Sequence, residues 1–347
     1  MRLIVATVQV PFMRGGAESL AEGLVDQLRR RGHETELVSM PFRFAPAAAV
    51  RRAMDGWTGE NLACLNGCEP DRVICLKFPA YYLAHPDKRV WLIHQHRAAY
   101  ELWGTPYDGG LSQTREGRAL REAIEAADRR ALGASGPLYT ISERVSERLL
   151  RHNGLASTTI YHPPALASRL YTAASEPYVF FPSRLEGPKR QALLIEAMAH
   201  VKTPAVALLA GEGGLRAALE QQIERLGLTQ RVRLLGRIAD AEMLDYFAHC
   251  TAAFFGPFDE DYGLVALEAM LAAKPLVTCS DSGEPARFVV DGETGLVVEP
   301  EPEAVAAAID SLCANPRRAA AMGRAALERY RSLDISWDRV IDLLLRG

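Results

Sequence analysis

Short apolar runs alternate with longer amphipathic stretches from the first residues of the chain onward. The short runs have the length and β-branched content of buried strands, and the stretches between them have the apolar spacing of helices. In the N-terminal half the pattern predicts strands at 3–8, 34–39, 72–76, 90–94, 136–140 and 159–161, and helices at 18–30, at 119–132 and after Ser142. Strands that alternate with helices are typical of a parallel sheet.

The alternation restarts after Pro163-Pro164 and the polar run 172–177, which interrupt both kinds of element. Further strands are predicted at 178–182, 205–210, 231–234, 252–255, 275–279 and 295–298, and helices at 189–200, 214–226, 241–249, 263–273, 302–314, 316–331 and 335–345. We therefore expect an α/β protein of two Rossmann-like, doubly wound domains facing across a cleft. The predicted domains are 1–170, completed by a C-terminal helix at 333–347, and 171–332. Segments 40–57 and 100–112 are interpreted as variable loops.

Composition narrows the class of protein. The 347 residues are 48% apolar and 24% charged, and a formal net charge of -3 gives no basis for nucleic-acid binding. The apolar run at the N-terminus is too short for a signal peptide, and no run approaches the ~18 apolar residues of a membrane span. We expect a cytoplasmic protein. Arginine clusters at 29–31, 51–52 and 129–130 are either solvated helix faces or points of peripheral contact with the inner face of the membrane.

The six cysteines form no Cys-x-x-Cys pair and are expected to be reduced. Cys64, Cys68 and Cys75 have no partner cysteine or histidine at zinc spacing, so no metal site is predicted.

Candidate binding residues follow the predicted strands, where an open parallel sheet binds its ligands. Gly15-Gly16 lies at the start of the first predicted helix, where the glycines either leave backbone amides free to bind an anion or only form the turn. The motif does not match the GxGxxG fingerprint of NAD enzymes. Arg184 and Lys189 follow the strand at 178–182 and could neutralise a phosphate, although a solvated loop is the alternative. Gly211 follows the next strand and would let a ligand approach the backbone.

Two glutamates eight residues apart, Glu260 and Glu268, form the strongest pattern. Glu260 lies in a loop after a predicted strand, and the next helix is expected near Gly263, so its first amides lack helical partners. Glu268 projects back toward that helix start. The two carboxylates can then hold hydroxyls on either side of a phosphate at the helix end. The alternative is two ordinary acidic residues near a helix start, where the helix dipole favours them.

Taken in chain order, these motifs resemble the family-4 retaining glycosyltransferases of GT-B fold. The motifs are Gly15-Gly16-Ala17-Glu18, a histidine ending the strand at 90–94, Ile141-Ser142-Glu143, Arg184 with Lys189, Gly211-Glu212-Gly213, Glu260 with Glu268, and Asp291-Gly292-Glu293-Thr294-Gly295-Leu296. The resemblance covers nearly the whole chain and implies transfer of a sugar from a UDP- or GDP-linked donor to a hydroxyl acceptor, with retention of configuration. It implies no metal and no other cofactor, and a saccharide, lipid-linked or small-molecule acceptor.

The resemblance also implies roles for single residues. Arg184 and Lys189 would bind the diphosphate, Glu260 the transferred sugar and Glu268 the ribose. The other donor-binding positions that it implies are Gly15, Gly16, Gly211, Arg237, Ile238, Tyr262, Gly263, Leu264 and Val265.

The histidine that approaches the donor sugar in this family corresponds best to His94, with His96 as the alternative. His96, Arg97 and Tyr100 are candidates for the acceptor side. One segment departs from the family pattern. Where the family often has Gly-Gly followed by a glutamate three positions later, this chain has Ser282-Gly283-Glu284-Pro285-Ala286-Arg287, which predicts a different loop near the donor.

Two other functions are compatible with this fold. One is a sugar-nucleotide epimerase or a phosphorylase, and the other is a non-catalytic subunit that binds a sugar nucleotide. The complete set of Arg184, Lys189, Glu260 and Glu268 favours a catalytic protein.

Overall fold

The computed structural model describes residues 1–346, which form two compact units. Unit 1 contains Met1–Ala165 and the C-terminal segment from Ser336 onward, and unit 2 contains Leu166–Ile335. The first boundary thus directly follows the Pro163-Pro164 pair instead of falling at residue 170. The reason is that Arg169 and Tyr171 already contact unit 2, through an ion pair with Asp240 at 3.6 Å and a hydrogen bond to Asp245 at 3.0 Å.

Unit 1 is built on a six-stranded parallel sheet with the order β2-β1-β3-β4-β5-β6. Its strands are β1 (Arg2–Gln9), β2 (Glu34–Pro41), β3 (Arg72–Cys75), β4 (Lys88–Leu92), β5 (Leu138–Thr140) and β6 (Thr158–Thr159). Its first four helices are α1 (Gly16–Arg30), α2 (Ala47–Gly59), α3 (Arg115–Gly133) and α4 (Glu143–Asn153). The strand order reverses between β1 and β3, and their carboxyl ends mark the place where such a sheet binds ligands.

Unit 2 has a second six-stranded parallel sheet, in the order β12-β11-β10-β7-β8-β9. Its strands are β7 (Tyr178–Pro182), β8 (Val206–Ala210), β9 (Val232–Gly236), β10 (Ala252–Phe254), β11 (Leu276–Cys279) and β12 (Gly295–Val298). Its helices are α5 (Gln191–His200), α6 (Arg216–Arg225), α7 (Asp240–His249), α8 (Leu264–Leu271), α9 (Glu284–Phe288), α10 (Pro302–Cys313) and α11 (Pro316–Ser332). Counted from β7, this is the 3-2-1-4-5-6 order of nucleotide-binding folds, which reverses between β7 and β10.

The last helix, α12 (Trp337–Leu345), packs within unit 1. Arg72 on β3 donates a hydrogen bond to the carbonyl of Leu344 at 2.9 Å. Trp337 lies edge-on to Trp91, with ring centroids 6.4 Å apart, and also contacts α1, where a Cβ at Gly23 would come within 3.0 Å of it. These contacts anchor the end of the chain to the first sheet.

The prediction of two doubly wound α/β domains is confirmed, and the interpretation of segment 40–57 as a loop is wrong. Ala47–Gly59 is a helix whose inner face buries Val50, Met54 and Trp57, with Val50 and Trp57 completely inaccessible. Those three residues have the spacing of a helix face, so the signal was present in the sequence. Segment 100–112 does lack long elements, and its described structure is turns with one short 3₁₀ stretch at Leu111–Gln113.

All six cysteines are free thiols; Cys75, Cys250 and Cys279 are buried, whereas Cys64 and Cys68 are exposed. Within residues 1–346, none of the helices combines the length and the apolar character that crossing a bilayer requires.

A completely buried carboxylate organises the core of unit 1. Asp128 on α3 accepts hydrogen bonds from the hydroxyls of Tyr81, Tyr82 and Tyr100 at 2.9, 2.6 and 2.8 Å, and from the amide of Gln95 at 2.7 Å. Burial raises the pKa of Asp128, and the donors act in the opposite direction. Because every donor comes from the segments that follow β3 and β4, this network fixes those segments against α3.

We expect Asp128→Asn to lower the free energy of unfolding by about 2 kcal/mol, because the new amide would face hydrogen-bond donors and leave them unpaired. Thermal and urea unfolding of the full chain measure this. Glu122→Gln, on the exposed face of the same helix, is the matched control and should behave as wild type. Equal stability of the two variants would contradict the assigned role of Asp128.

Candidate functional site

The candidate site lies at the carboxyl ends of β7 and β10 in unit 2. Lys189 follows β7 and Glu260 follows β10, and Lys189 Nζ donates to Glu260 Oε2 at 2.6 Å. Only 15% and 16% of these two side chains are exposed. The ring of Phe255 lies 5.5 Å from the ammonium group and adds a cation–π contact. The cation and the carboxylate predicted from separate motifs therefore form one partly buried ion pair.

The backbone around Glu260 is fixed on two sides. The amide of Phe258 donates to the carbonyl of Pro188 at 2.7 Å, which ties the loop to the segment that carries Lys189. On the other side the amide of Glu260 donates to Ser282 at 3.0 Å, and the amide of Glu284 donates back to Glu260 at 3.1 Å. These bonds hold the carboxylate at a fixed position relative to Lys189.

The segment that departs from the family pattern supplies the second of these supports. Ser282 and Glu284 are completely buried. Gly283 between them has φ +75°, and a Cβ at this position would overlap the backbone of Glu260. Pro285 begins the short helix α9. The segment that departs from the family pattern therefore packs closely against the backbone of Glu260 and fixes its position.

The loop that carries Lys189 differs from the predicted helix at 189–200. Gly187–Lys189 is a 3₁₀ turn, Arg190 has φ +57°, and α5 begins only at Gln191. Arg190 forms a bidentate ion pair with Asp281 at 2.7 and 2.6 Å, which sequence reasoning missed. The available signal was that Asp281 directly follows a predicted strand, at the edge of the sheet that also receives Lys189.

Arg184 is the more accessible cation of this edge. Its side chain is 45% exposed and pairs with Glu186 at 3.0 Å, and its carbonyl accepts a hydrogen bond from Gln191 at 2.7 Å. The exposed guanidinium group of Arg184 can reorient toward an anion, whereas the ammonium group of Lys189 is already oriented by its ion pair with Glu260.

Gly211 has a packing constraint in addition to the ligand contact that is predicted for it. Its φ is +138°, and a Cβ there would overlap the carbonyl oxygen of Ser183; Gly213 likewise leaves no room beside Leu185. The backbone that lies against Gly211 in this structure is therefore that of the loop after β7, at Ser183. Arg237 and Ile238 follow β9 and are exposed and half-buried, respectively.

The start of α8 is open for hydrogen bonding. Gly263 occupies the N-cap position with φ +78°, and no side chain caps Leu264 and Val265. Free amides at a helix N-terminus attract anions. Tyr262, just before the helix, is buried edge-on against Phe288 at 6.0 Å.

Glu268 lies one turn into α8 and is half-buried. Burial raises the pKa of its carboxyl from 4.5 to about 7. Across residues 1–346, no side-chain hydrogen bond or ion pair of Glu268 is found. A carboxyl group in this condition is ready to accept hydrogen bonds from a ligand's hydroxyls.

In unit 1, Gly15 caps α1 in an extended conformation without a side-chain hydrogen bond, and Gly16 is the first helical residue. The helix start is again a site of free amides.

The histidines follow β4, which ends at Leu92 instead of residue 94. His94 is half-buried, and its Nδ1 lies 2.7 Å from the carbonyl oxygen of Gln95. His96 is 3% exposed, and burial lowers its pKa to about 4. It is therefore neutral at physiological pH.

The other two candidates for the acceptor side already have protein partners. Arg97 donates to Glu101 at 2.6 Å. Tyr100 is buried with its hydroxyl bound to Asp128, so it supports the core in place of lining a binding surface.

Residues 169–329 match the family model described as glycosyl transferases group 1. This match covers nearly all of unit 2. The glycogen synthase of Mycobacterium tuberculosis is 30% identical over 269 residues, a match that includes 72% of this chain and 64% of that enzyme. The chain therefore spans somewhat less than two thirds of this relative. The matched segment includes Arg184, Lys189, Glu260 and Glu268.

Solved structures extend the likeness to both units. Sucrose-phosphate synthase from Thermosynechococcus elongatus has a TM-score of 0.77 at 18% identity, over 97% of this chain and 96% of that one. HepE from Anabaena, solved in complex with UDP-glucose, has a TM-score of 0.72 at 19% identity, over 98% of each chain. At these identities the likeness concerns the fold, and it confirms the predicted GT-B fold.

Within residues 1–346, no group of three or more His, Cys, Asp or Glu side chains gathers at a spacing suited to a metal ion.

The cap of α8 can be tested by a matched pair of glycine substitutions. Gly263 and Gly154 both have φ near +70°, but a Cβ at Gly263 would overlap Pro285, whereas nothing lies within 4 Å of one at Gly154. We expect Gly154→Ala to lower the free energy of unfolding by about 1 kcal/mol through backbone strain alone. Gly263→Ala should lower it by about 3 kcal/mol because a clash is added. Urea unfolding compares them, and equal losses would mean that the α8 cap tolerates a side chain.

Proposed function

We propose that this protein is a retaining glycosyltransferase that moves a sugar from a UDP- or GDP-linked donor to a hydroxyl acceptor. The observation that carries the proposal is the Lys189–Glu260 ion pair beside the uncapped start of α8, within the segment that matches the group 1 family model. Positive charge, free amides and oriented carboxylates at the reversal point of the sheet suit a diphosphate with hydroxyl groups on both sides.

In the proposed reaction the donor's diphosphate lies at the start of α8, near Lys189. The bond between the anomeric carbon and the phosphate oxygen breaks as the acceptor oxygen bonds to the same face of that carbon, and the acceptor's proton passes to the leaving phosphate. Lys189, Arg184 and the amides of α8 stabilise the negative charge that develops on the leaving group. Because these groups supply positive charge, we expect the reaction to proceed in the presence of EDTA.

Glu260 and Glu268 act as hydroxyl clamps in this proposal. Glu260 accepts hydrogen bonds from the transferred sugar, and the ion pair with Lys189 keeps its carboxylate oriented. Glu268 accepts them from the ribose. Gly15, Gly16 and His94 belong to the other unit and are proposed to reach the donor when it is bound.

We further propose that the reaction takes place in the cytoplasm, with a saccharide, lipid-linked or small-molecule acceptor, and that the arginine clusters allow contact with the inner membrane face. An epimerase, a phosphorylase or a non-catalytic subunit would differ in one property. Only a transferase releases nucleoside diphosphate at a rate that depends on the added acceptor.

Donor choice is tested first, by thermal unfolding with UDP-glucose, GDP-mannose and the free nucleotides. A ligand at 100 times its Kd stabilises the folded state by about 2.7 kcal/mol, which raises the melting temperature by several degrees. No shift with any nucleotide sugar would remove the basis of the proposal.

Lys189→Ala and Glu260→Gln should each reduce kcat/KM for the donor by at least about 100-fold, since each removes one member of the group that contacts the reacting sugar and phosphate. The assay is nucleotide release with the acceptor that gives the highest rate. Lys202→Ala, an exposed lysine of the same unit, is the control and should retain full activity. Thermal melts confirm that each variant is folded. Near wild-type turnover in a folded Lys189→Ala protein would contradict the mechanism.

Donor affinity should rise with pH through the pKa of Glu268, which burial raises to about 7. Ribose hydroxyls donate to the ionised form, so the interaction is present above this pKa and is lost as pH falls below it. Between pH 6 and pH 8 the Kd of UDP-glucose or GDP-mannose should decrease about tenfold. Calorimetry measures it, with Glu268→Gln expected to be flat and Glu293→Gln to follow wild type. A pH profile unchanged by Glu268→Gln would assign the titration to another group.

A further inference from the structure

Arg190, the residue after Lys189, has a backbone conformation that is unfavourable for its residue type. Its φ is +57°, in the left-handed region. Residues other than glycine, asparagine and aspartate seldom occupy this region, because their Cβ comes too close to the following carbonyl oxygen. The conformation connects the turn Gly187–Lys189 to the start of α5 at Gln191. A glycine would make this connection without strain, so we expect the arginine side chain to have a task of its own.

The side chain of Arg190 joins the loop after β7 to two other segments. Its two Nη atoms donate to the two carboxylate oxygens of Asp281 at 2.7 and 2.6 Å, and 18% and 34% of these side chains are exposed. The guanidinium group also lies 5.1 Å from the ring centroid of Phe258, two residues before Glu260. A two-pronged contact of this kind fixes the direction of the partner as well as its distance.

Asp281 is in turn connected by its backbone to the residues around Glu260. Its carbonyl accepts a hydrogen bond from the amide of Asp259 at 2.9 Å, and the carbonyl of Ser282 accepts one from the amide of Glu260 at 3.0 Å. Glu260 also pairs with Gly283 in a short parallel bridge. A contact that fixes Asp281 therefore also fixes the backbone of Glu260.

Two consecutive residues thus reach Glu260 by two routes. Lys189 binds its carboxylate directly at 2.6 Å, and Arg190 reaches its backbone through Asp281. The direct pair lies where the donor is proposed to bind, so hydroxyl and phosphate groups of the donor would exchange hydrogen bonds with it. The pair of Arg190 and Asp281 satisfies both carboxylate oxygens and can persist during that exchange.

We propose that Arg190 is a positioning residue for transfer. Through its bidentate contact with Asp281 it holds Lys189 and Glu260 at the separation that the reacting sugar and the leaving phosphate require. This inference rests on the proposed function, because the reaction whose rate it concerns is the one proposed above.

Loss of the side chain should slow the reaction while the protein stays folded. We expect Arg190→Gly to lower kcat by about tenfold or more, because small displacements of reacting groups are costly in rate. Glycine adopts positive φ without strain, and this relief offsets part of the lost pairing. The Kd of the free nucleoside diphosphate, measured by calorimetry, should stay within about threefold of wild type, since a contact needed only in the transition state is removed.

Three further variants separate positioning from a general loss of structure. Asp281→Ala should reproduce the loss in kcat, and the double variant should be no slower than either single variant, because both break one contact. Arg190→Lys keeps the charge without the fork and should recover part of the rate. Arg331→Gln, which breaks the exposed pair with Glu328 on α11, is the matched control and should keep wild-type turnover.

Three results would overturn the proposal. The first is an unchanged kcat in Arg190→Gly. The second is a loss of kcat with an equal loss of nucleoside diphosphate affinity, which indicates a site that is no longer formed. The third is a double variant in which the two single losses multiply, since residues that act through one contact do not behave independently.

A stability cycle requires no turnover and separates this inference from the proposed function. Melting temperatures are compared for wild type, Glu260→Gln, Arg190→Gly and the double variant. If Arg190 orients the pair of Lys189 and Glu260, Glu260→Gln should shift the melting temperature less in the Arg190→Gly background than in wild type. Additive shifts would overturn the positioning role.

The two measurements together distinguish the possible failures. Non-additive shifts without acceptor-dependent nucleotide release by wild type would mean that the transferase is wrong and that Arg190 still orients the ion pair. Acceptor-dependent release by wild type, with equal kcat in Arg190→Gly, would mean that the transferase stands and that the positioning role is wrong.

Discussion

The ion pair between Lys189 and Glu260 is the contact on which the candidate site depends. Its members are separated by 71 residues and meet because β7 and β10 are neighbours in the sheet. Removing two charges from water is unfavourable unless each retains a partner and good geometry. The 2.6 Å contact and the ring of Phe255 provide both. A ligand that enters this edge meets charges that are already oriented, which lowers the reorganisation needed during a reaction.

The surroundings of the pair are organised to keep it in place. Glycines at 211, 213 and 283 lie where a side chain would collide with the backbone of a neighbouring loop, and one at Gly263 would collide with the ring of Pro285. The bidentate pair of Arg190 with Asp281 joins the loop after β7 to the loop after β11. The loops after β7 and β11 therefore both support the segment that carries Glu260, and this support explains how a segment that departs from the family pattern can still hold that residue.

The two units use different chemistry at equivalent edges of their sheets. The edge in unit 2 is charged and has free amides, as a diphosphate requires. The edge in unit 1 is aromatic, and its charged residues Lys77 and Glu18 pair with each other. The segment that contains the histidines is fixed by the buried Asp128 network through Gln95.

The sequence alone determined the fold class, the positions of nearly all strands and the strand-end motifs of the candidate site, because periodicity and strand-end motifs are local properties. It did not predict α2, although Val50, Met54 and Trp57 have the spacing of a buried helix face. Contacts between distant segments were decided only by the tertiary structure. These include the pairing of Lys189 with Glu260, the approach of Ser183 to Gly211 and the burial of Tyr100 against Asp128. Each depends on which strands are neighbours, and residue spacing along the chain does not encode that order.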